Sequence, residues 1–86
     1  MAKLRILYFA WLRERVGHAE EELLLPLGIA TLGDLIDWLR TRHAGYEAAF
    51  AEPRLVRAAI NQEFARLEAT IADGDEVAFF PPITGG

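Results

Sequence analysis

Apolar and polar residues alternate from Lys3 to Ala10, with Lys3 and Arg5 on one side and Leu4, Ile6 and Tyr8 on the other. That period of two predicts a strand. Leu7 and Phe9 make its second half apolar on both sides, as suits a strand inside a sheet. Trp11 to Val16 reads as a short helical turn stopped by Gly17. Glu20 to Leu25 reads as a second strand ended by Pro26, and the short connection favours antiparallel pairing with the first. Thr31-Leu32-Gly33-Asp34 resembles a capping box with Asp at its last position. Leu32, Leu35, Ile36 and Leu39 follow at helical spacing and form an inward stripe. Asp34 and Asp37 near the start of this helix, and Arg40, Arg42 and His43 near its end, match its dipole, with Gly45 as the expected stop. Tyr46 to Ala51 gives one further helical turn before Pro53. Leu55 to Ile60, a turn at Asn61-Gln62 and Glu63 to Ala65 form a hairpin. Asp73-Gly74-Asp75 is a second turn signal, and Glu76 to Phe80 is the last strand, ended by Pro81.

The order strand, strand, helix, strand, short strand, strand predicts an α+β roll: a mixed sheet with one main helix packed across it. The first and last strands are dense in Phe, Tyr, Ile and Val and are expected to run parallel at the sheet centre. This is the ubiquitin-like β-grasp arrangement. Residues 1–80 form the domain, and residues 81–86 an extended, free tail.

Composition narrows the chemistry. A chain of 86 residues is one domain with one modest core, burying about 60% of its unfolded surface. No apolar run approaches the length of a membrane-spanning helix and nothing at the start reads as a signal peptide, so the expectation is a cytoplasmic protein without a membrane partner. The net charge of −4 argues against a nucleic-acid partner. The chain has no Cys, which removes disulfides, thiolate metal sites and Cys nucleophiles. It has no Ser either, so a Ser-His-Asp triad is excluded. Its bases are eight Arg and one Lys, Lys3. His18 and His43 lack carboxylates at ligand spacing and read as surface residues. Glu20-Glu21-Glu22 reads as a solvated strand edge. Asp73 and Asp75 lack the ladder of a calcium loop. Gly28 and Gly33 make no phosphate-binding pattern. Trp11 and Trp38 read as packing at the core margin. The domain holds no self-sufficient active site, no metal site and no stably bound cofactor.

Three aromatics stand apart. Alternation sends Phe79 and Phe80 to opposite faces of the last strand. Phe79 is expected under the helix, and Phe80 on the open face. Phe64 sits on a short strand after a tight turn, where full burial is difficult. Phe64 and Phe80 together predict an apolar patch that asks for a partner. Beside it the sequence continues Pro81-Pro82-Ile83-Thr84-Gly85-Gly86. The prolines cannot continue a central strand and lift the segment away. Six residues reach roughly 20 Å when extended. The two glycines make a thin end able to enter a narrow channel and present the Gly86 carboxylate.

The stretch Gly74-Asp75-Glu76-Val77-Ala78-Phe79-Phe80-Pro81-Pro82-Ile83-Thr84-Gly85-Gly86 resembles the C-terminal signature of the small, sulfur-carrier subunits of molybdopterin synthase, with Ile83 for the usual Val. Ile6-Leu7-Tyr8-Phe9-Ala10, Leu12-Arg13-Glu14, Val16-Gly17 and Asn61-Gln62-Glu63 are similar to the same family. The resemblance spans essentially the whole chain; from Glu20 to Arg54 it rests on pattern alone. It implies that Gly86 is adenylated with ATP by a ubiquitin-activating-type adenylyltransferase and converted by a sulfur donor enzyme to a thiocarboxylate. The tail would then enter the large synthase subunit and pass sulfur to cyclic pyranopterin monophosphate. In that family two small and two large subunits assemble, and catalysis lies with the partners. The resemblance assigns Gly86 to the chemistry, Gly85 to clearance, and Phe64, Phe80, Pro81, Pro82, Ile83 and Thr84 to partner contact.

Three competing readings remain open on the residues. One is a sulfur carrier for thiamine or tRNA thiolation. Another is a ubiquitin-like modifier joined to lysines. The third is a β-grasp interaction module with an inert tail. The Phe-Phe-Pro-Pro signature favours the molybdopterin branch over the first.

Overall fold

The structure, a computed structural model, describes residues 2–82. It contains strands β1 (Lys3–Tyr8), β2 (Glu20–Leu24), β3 (Arg57–Ile60), β4 (Glu63–Ala65) and β5 (Glu76–Phe80), and helices α1 (Trp11–Val16), α2 (Leu32–Leu39) and α3 (Ala44–Phe50). The sheet order is β2-β1-β5-β3-β4. β1 and β5 run parallel, and the other pairings are antiparallel. This is the expected β-grasp roll, with β5 in the middle of the sheet.

The predicted stripe on α2 is the one buried: Leu32, Leu35 and Leu39 are sealed in the core with Leu4, Ile6 and Tyr8 of β1 and Val77 and Phe79 of β5. The capping box forms in full. Asp34 N–H donates to Thr31 Oγ1 at 3.2 Å, and the Asp34 carboxylate accepts from the N–H of Thr31 at 3.1 Å. Trp11 and Trp38 pack half-buried at the core margin, as expected.

Four local expectations give way. β1 stops at Tyr8, because Ala10 adopts φ 55° and caps α1. The segment Pro53–Leu55 is a 3₁₀ turn started by proline, so β3 begins at Arg57 and not Leu55. α2 ends at Leu39 and carries no basic residue in its last turn. Gly45 is no stop: it lies in the first turn of α3, whose N-cap is His43, with Gly45 N–H donating to the imidazole Nδ1 at 2.9 Å. A side chain at Gly45 would collide with the Arg15 carbonyl, so that glycine serves the close approach of α1 to α3.

The hairpin turn is as predicted. Asn61 and Gln62 both have positive φ, 50° and 71°, the backbone of a two-residue type I′ turn that matches strand twist. Asn61 also ties the hairpin to β5. Its amide donates to Asp75 Oδ1 at 2.9 Å, and its oxygen accepts from Glu76 N–H at 3.0 Å.

Candidate functional site

The two faces of the sheet are built from alternate residues of the same strands. On β5, Val77 and Phe79 point under the helices, while Glu76, Ala78 and Phe80 face away. Register assembles the open face. Leu7 of β1 lies beside Ala78, Ala78 beside Ala59 of β3, and Ala59 beside Phe64 of β4. One row on, Phe80 lies beside Arg57. Phe9 N–H donates to the Phe79 carbonyl at 3.0 Å, which carries the β1–β5 pairing past Tyr8 and sets Phe9 at the same end.

Small Ala59 and Ala78 therefore floor a patch walled by aromatics. The Phe64 and Phe80 rings are 5.9 Å apart, tilted by 54°. Phe64 is 81% exposed and Phe9 is 48% exposed. A cavity of about 350 Å³ opens between the two rings and Arg57. Pro81 and Pro82 follow, half-buried, at the end of the central strand. Phe79, by contrast, is fully buried, stacked on Tyr8 with centroids 6.0 Å apart and edge-on to Phe50 at 4.9 Å. The expected division between the adjacent phenylalanines is what the structure has. Ile83, Thr84, Gly85 and Gly86 lie outside the described residues.

The opposite end of the open face is charged. Arg5 sits between Glu22 of β2 and Glu76 of β5 in register and pairs with Glu20 at 3.0 Å; Lys3 meets Glu22 at 3.9 Å. These exposed pairs contribute little stability. The aromatic part of the open face lies away from them, beside Pro81 and Pro82, while exposed Leu24 sits opposite Lys3 at the charged end.

Leu7, Phe9 and Arg57 belong to this face and were not singled out from the sequence. Alternation along β1, combined with its parallel register against β5, is the signal that finds Leu7 and Phe9; the antiparallel register of β3 against β5 finds Arg57. The acidic run also resolves differently from expectation. Glu20 and Glu22 are exposed, but Glu21 lies opposite Ile6 and so on the covered face. It accepts from Tyr8 Oη at 2.8 Å, Tyr46 Oη at 2.5 Å and Arg42 Nη1 at 3.0 Å. Burial works to raise the Glu21 pKa, but the hydrogen bonds from Tyr46, Tyr8 and Arg42 and the Arg42 charge outweigh it and hold it low. Burial, with Glu21 alongside, pushes the Tyr46 hydroxyl up to about 12 and raises Tyr8 further. This ties β2 to β1 and α3. Among the described residues no group of His, Asp and Glu forms a metal site, and no helix is long and apolar enough to cross a membrane.

The ThiS family model matches residues 6–86. The chain belongs to the ThiS family. Relatives match over nearly the full length of the chain. The molybdopterin synthase sulfur carrier subunit of Escherichia coli (strain K12) is 35% identical over 83 residues, covering 96% of this chain and 99% of the relative. The crystal structure of H. volcanii small archaeal modifier protein 1 superposes with a TM-score of 0.79 at 32% identity, covering 96% of this chain and 100% of that one. A chain from the Amycolatopsis orientalis BexX/CysO complex has a TM-score of 0.68 at 27% identity, with 96% of this chain and 99% of that one covered. The ubiquitin-like β-grasp is thus shared with sulfur carriers and modifiers, some of them found in complexes with a partner protein.

Proposed function

We propose that this ThiS-family protein is the sulfur carrier subunit of a molybdopterin synthase, with the Gly86 carboxylate as the atom-carrying group. The observation that carries the reading is the apolar patch of Phe9, Phe64 and Phe80 at the end of the central strand, five residues before Gly85-Gly86 in the sequence. The near full-length likeness to a named sulfur carrier subunit supports it. Domain and tail divide the work. The domain supplies docking area; the tail supplies a reacting group on a thin stem.

A carboxylate is a poor acyl electrophile. Attack of its oxygen on the ATP α-phosphate, in an activating partner of the adenylyltransferase type, releases pyrophosphate and leaves an acyl-adenylate. Sulfide-level sulfur (HS⁻) supplied by a donor enzyme attacks that carbonyl and expels AMP, leaving a thiocarboxylate. Its ionised, polarisable sulfur is a nucleophile made without any Cys, consistent with a chain that has none. In the large synthase subunit the thiocarboxylate sulfur attacks a carbon of the cyclic pyranopterin monophosphate and displaces an oxygen from it; water then cleaves the acyl–sulfur bond, leaving the sulfur on the pterin and returning the Gly86 carboxylate. Two rounds supply a dithiolene. The protein itself binds ATP only through its activating partner.

The test is intact-mass analysis after incubation with an activating enzyme, ATP and a sulfur donor, followed by addition of the large subunit and cyclic pterin. The expected result is a mass gain of one oxygen-to-sulfur exchange, lost again on pterin addition. Deleting Gly86 should abolish both steps while leaving the thermal melt unchanged, since the last residues of a domain usually contribute little stability. Full transfer by the truncated protein would overturn the reading. Likeness to the archaeal modifier favours protein conjugation as the second reading. Isopeptide-linked adducts on lysines of other proteins, formed without any pterin product, would establish it instead.

A further inference from the structure

A groove of about 700 Å³ runs between α2 and the chain on either side of the β3–β4 hairpin. Its floor is apolar, with Ile36 and Val56 half-buried and Leu67 exposed over the sealed Leu32 and Phe50. Arg54, Arg57 and Arg66 line it, and Arg40 stands at the side already neutralised by Glu47, at 2.7 Å. The Ala58–Ala65 pair ends the β3–β4 ladder, and the next residues out are Arg57, the first of β3, and Arg66, just past β4. Like charges lining one groove repel. Among the described residues neither arginine makes an ion pair, although Asp37 and Glu68 also line the groove. Among the described residues the Arg57 side chain makes two weak bonds, at 3.4 Å, to the carbonyls of Arg54 and Val56. The groove also shares Arg57, Ala58 and Ala65 with the cavity between Phe64 and Phe80. The two depressions meet at one end of the hairpin.

We infer that this groove is a second docking element, taking an extended acidic segment with an apolar anchor from the protein that covers the open face. A carboxylate between Arg57 and Arg66 relieves their repulsion, and an aliphatic side chain one or two residues away settles over Ile36, Val56 and Leu67. Continuity with the Phe64–Phe80 cavity lets one partner occupy both. The inference rests on the carrier reading for the identity of that partner, but the groove's chemistry is testable without it.

The probe is an acetylated peptide of repeating Glu-Glu-Leu, titrated into the intact labelled protein and followed by amide shifts. Two comparison peptides replace Glu by Lys or Leu by Ser. Saturable shifts centred on Ile36, Val56, Arg57, Arg66 and Leu67 are expected for the Glu/Leu peptide, with about tenfold or more weaker binding of either comparison peptide. The double variant Arg57→Glu with Arg66→Glu should reverse the preference and bind the Lys/Leu peptide better; reversal cannot come from misfolding. No saturation, shifts elsewhere, or an unreversed preference overturns the inference. A protein that carries sulfur normally yet ignores the peptide refutes the groove and leaves the carrier standing. One that binds the peptide at the groove but never forms a thiocarboxylate does the opposite.

Discussion

Phe79 and Phe80 are chain neighbours, and the sheet gives them unrelated surroundings. Phe79 is enclosed by Tyr8, Phe50 and the underside of the helices, with no exposed surface. Phe80 lies half-exposed against Phe64, with small alanines beneath and solvent above. The covered face is filled by large aliphatic and aromatic groups from five elements. The open face carries the same residue types, but among the described residues no helix lies over them. A core residue is held by neighbours that need it for the fold. An aromatic on an uncovered sheet face has no such duty, and its apolar area contributes most when another surface removes it from water.

The sharpest break between the two faces is Phe79→Ala. Removing a buried ring from between Tyr8 and Phe50 should cost about 3–5 kcal/mol. For a domain this small, that is most of the available stability. Leu35→Ala or Leu39→Ala, truncating the stripe of α2, should cost about 2–5 kcal/mol. Denaturant titration measures both. Losses below about half a kcal/mol would mean that the covered face is not the core.

Next comes the polar margin of that face. Glu21→Gln removes the charge on which Tyr8, Tyr46 and Arg42 converge, and should cost about 1.5–3 kcal/mol, the range for hydrogen bonds to a charged group. The folded-state pKa of Glu21 is depressed. Its contribution is therefore complete above the ordinary carboxylate value of about 4.3 and is lost as pH falls through the lower folded value. Asp34 and Glu47 are also shifted down, by backbone bonds from Ala30 and Thr31 and by Arg40 respectively. The wild type should lose stability on acidification below about pH 4.3, and Glu21→Gln should lose less. Equal acid limbs in the two proteins would place the pH dependence elsewhere.

Glu21 also marks where reading by pattern reaches its limit. Periods of two and 3.6 locate the strands and α2, and alternation separates Phe79 from Phe80, because both are properties of one element. Alternation also separates Glu21 from Glu20 and Glu22. Yet its partners come from β1, α3 and the turn before α3, and only the folded chain brings them together. Gly45 is the same lesson in reverse. Placed after an amphipathic stripe it looks like a helix stop, but its lack of a side chain answers to the Arg15 carbonyl, thirty residues back in sequence. The groove beside the hairpin is likewise a product of packing, with Ile36 on one helix and Arg66 beyond β4. The Gly85-Gly86 segment is the converse: plain in the sequence, and outside the described residues.

On the open face the currency is association. Phe80→Ala should weaken binding to the large synthase subunit and to the activating enzyme by about 1 kcal/mol or more, as apolar anchors near an interface centre do. Phe64→Ala should act in the same direction but less, because it stands on the edge strand farther from the tail. Both should leave the melt nearly unchanged, opposite to Phe79→Ala. Calorimetric binding beside thermal melts of all three variants reads the contrast. If Phe80→Ala unfolds the domain while Phe79→Ala loses only binding, the two faces are inverted.

The smallest effect sharpens the comparison most finely. Gln62 holds φ 71° in the turn that presents Phe64. A glutamine there bears a steric cost that glycine does not, and Asn-Gly is the preferred pair for a type I′ turn. Glycine's greater freedom in the unfolded chain offsets part of the gain. Gln62→Gly should therefore stabilise the domain by about 0.5–1 kcal/mol. Asn61 keeps its bonds to Asp75 and Glu76, so the register of β4 and the position of Phe64 are unchanged. The melt should rise while affinity for the large subunit stays constant. Stability would then move without docking, just as Phe80→Ala moves docking without stability. A gain in affinity alongside the melt would mean that the hairpin is not preformed and that ordering Phe64 is part of the cost of binding.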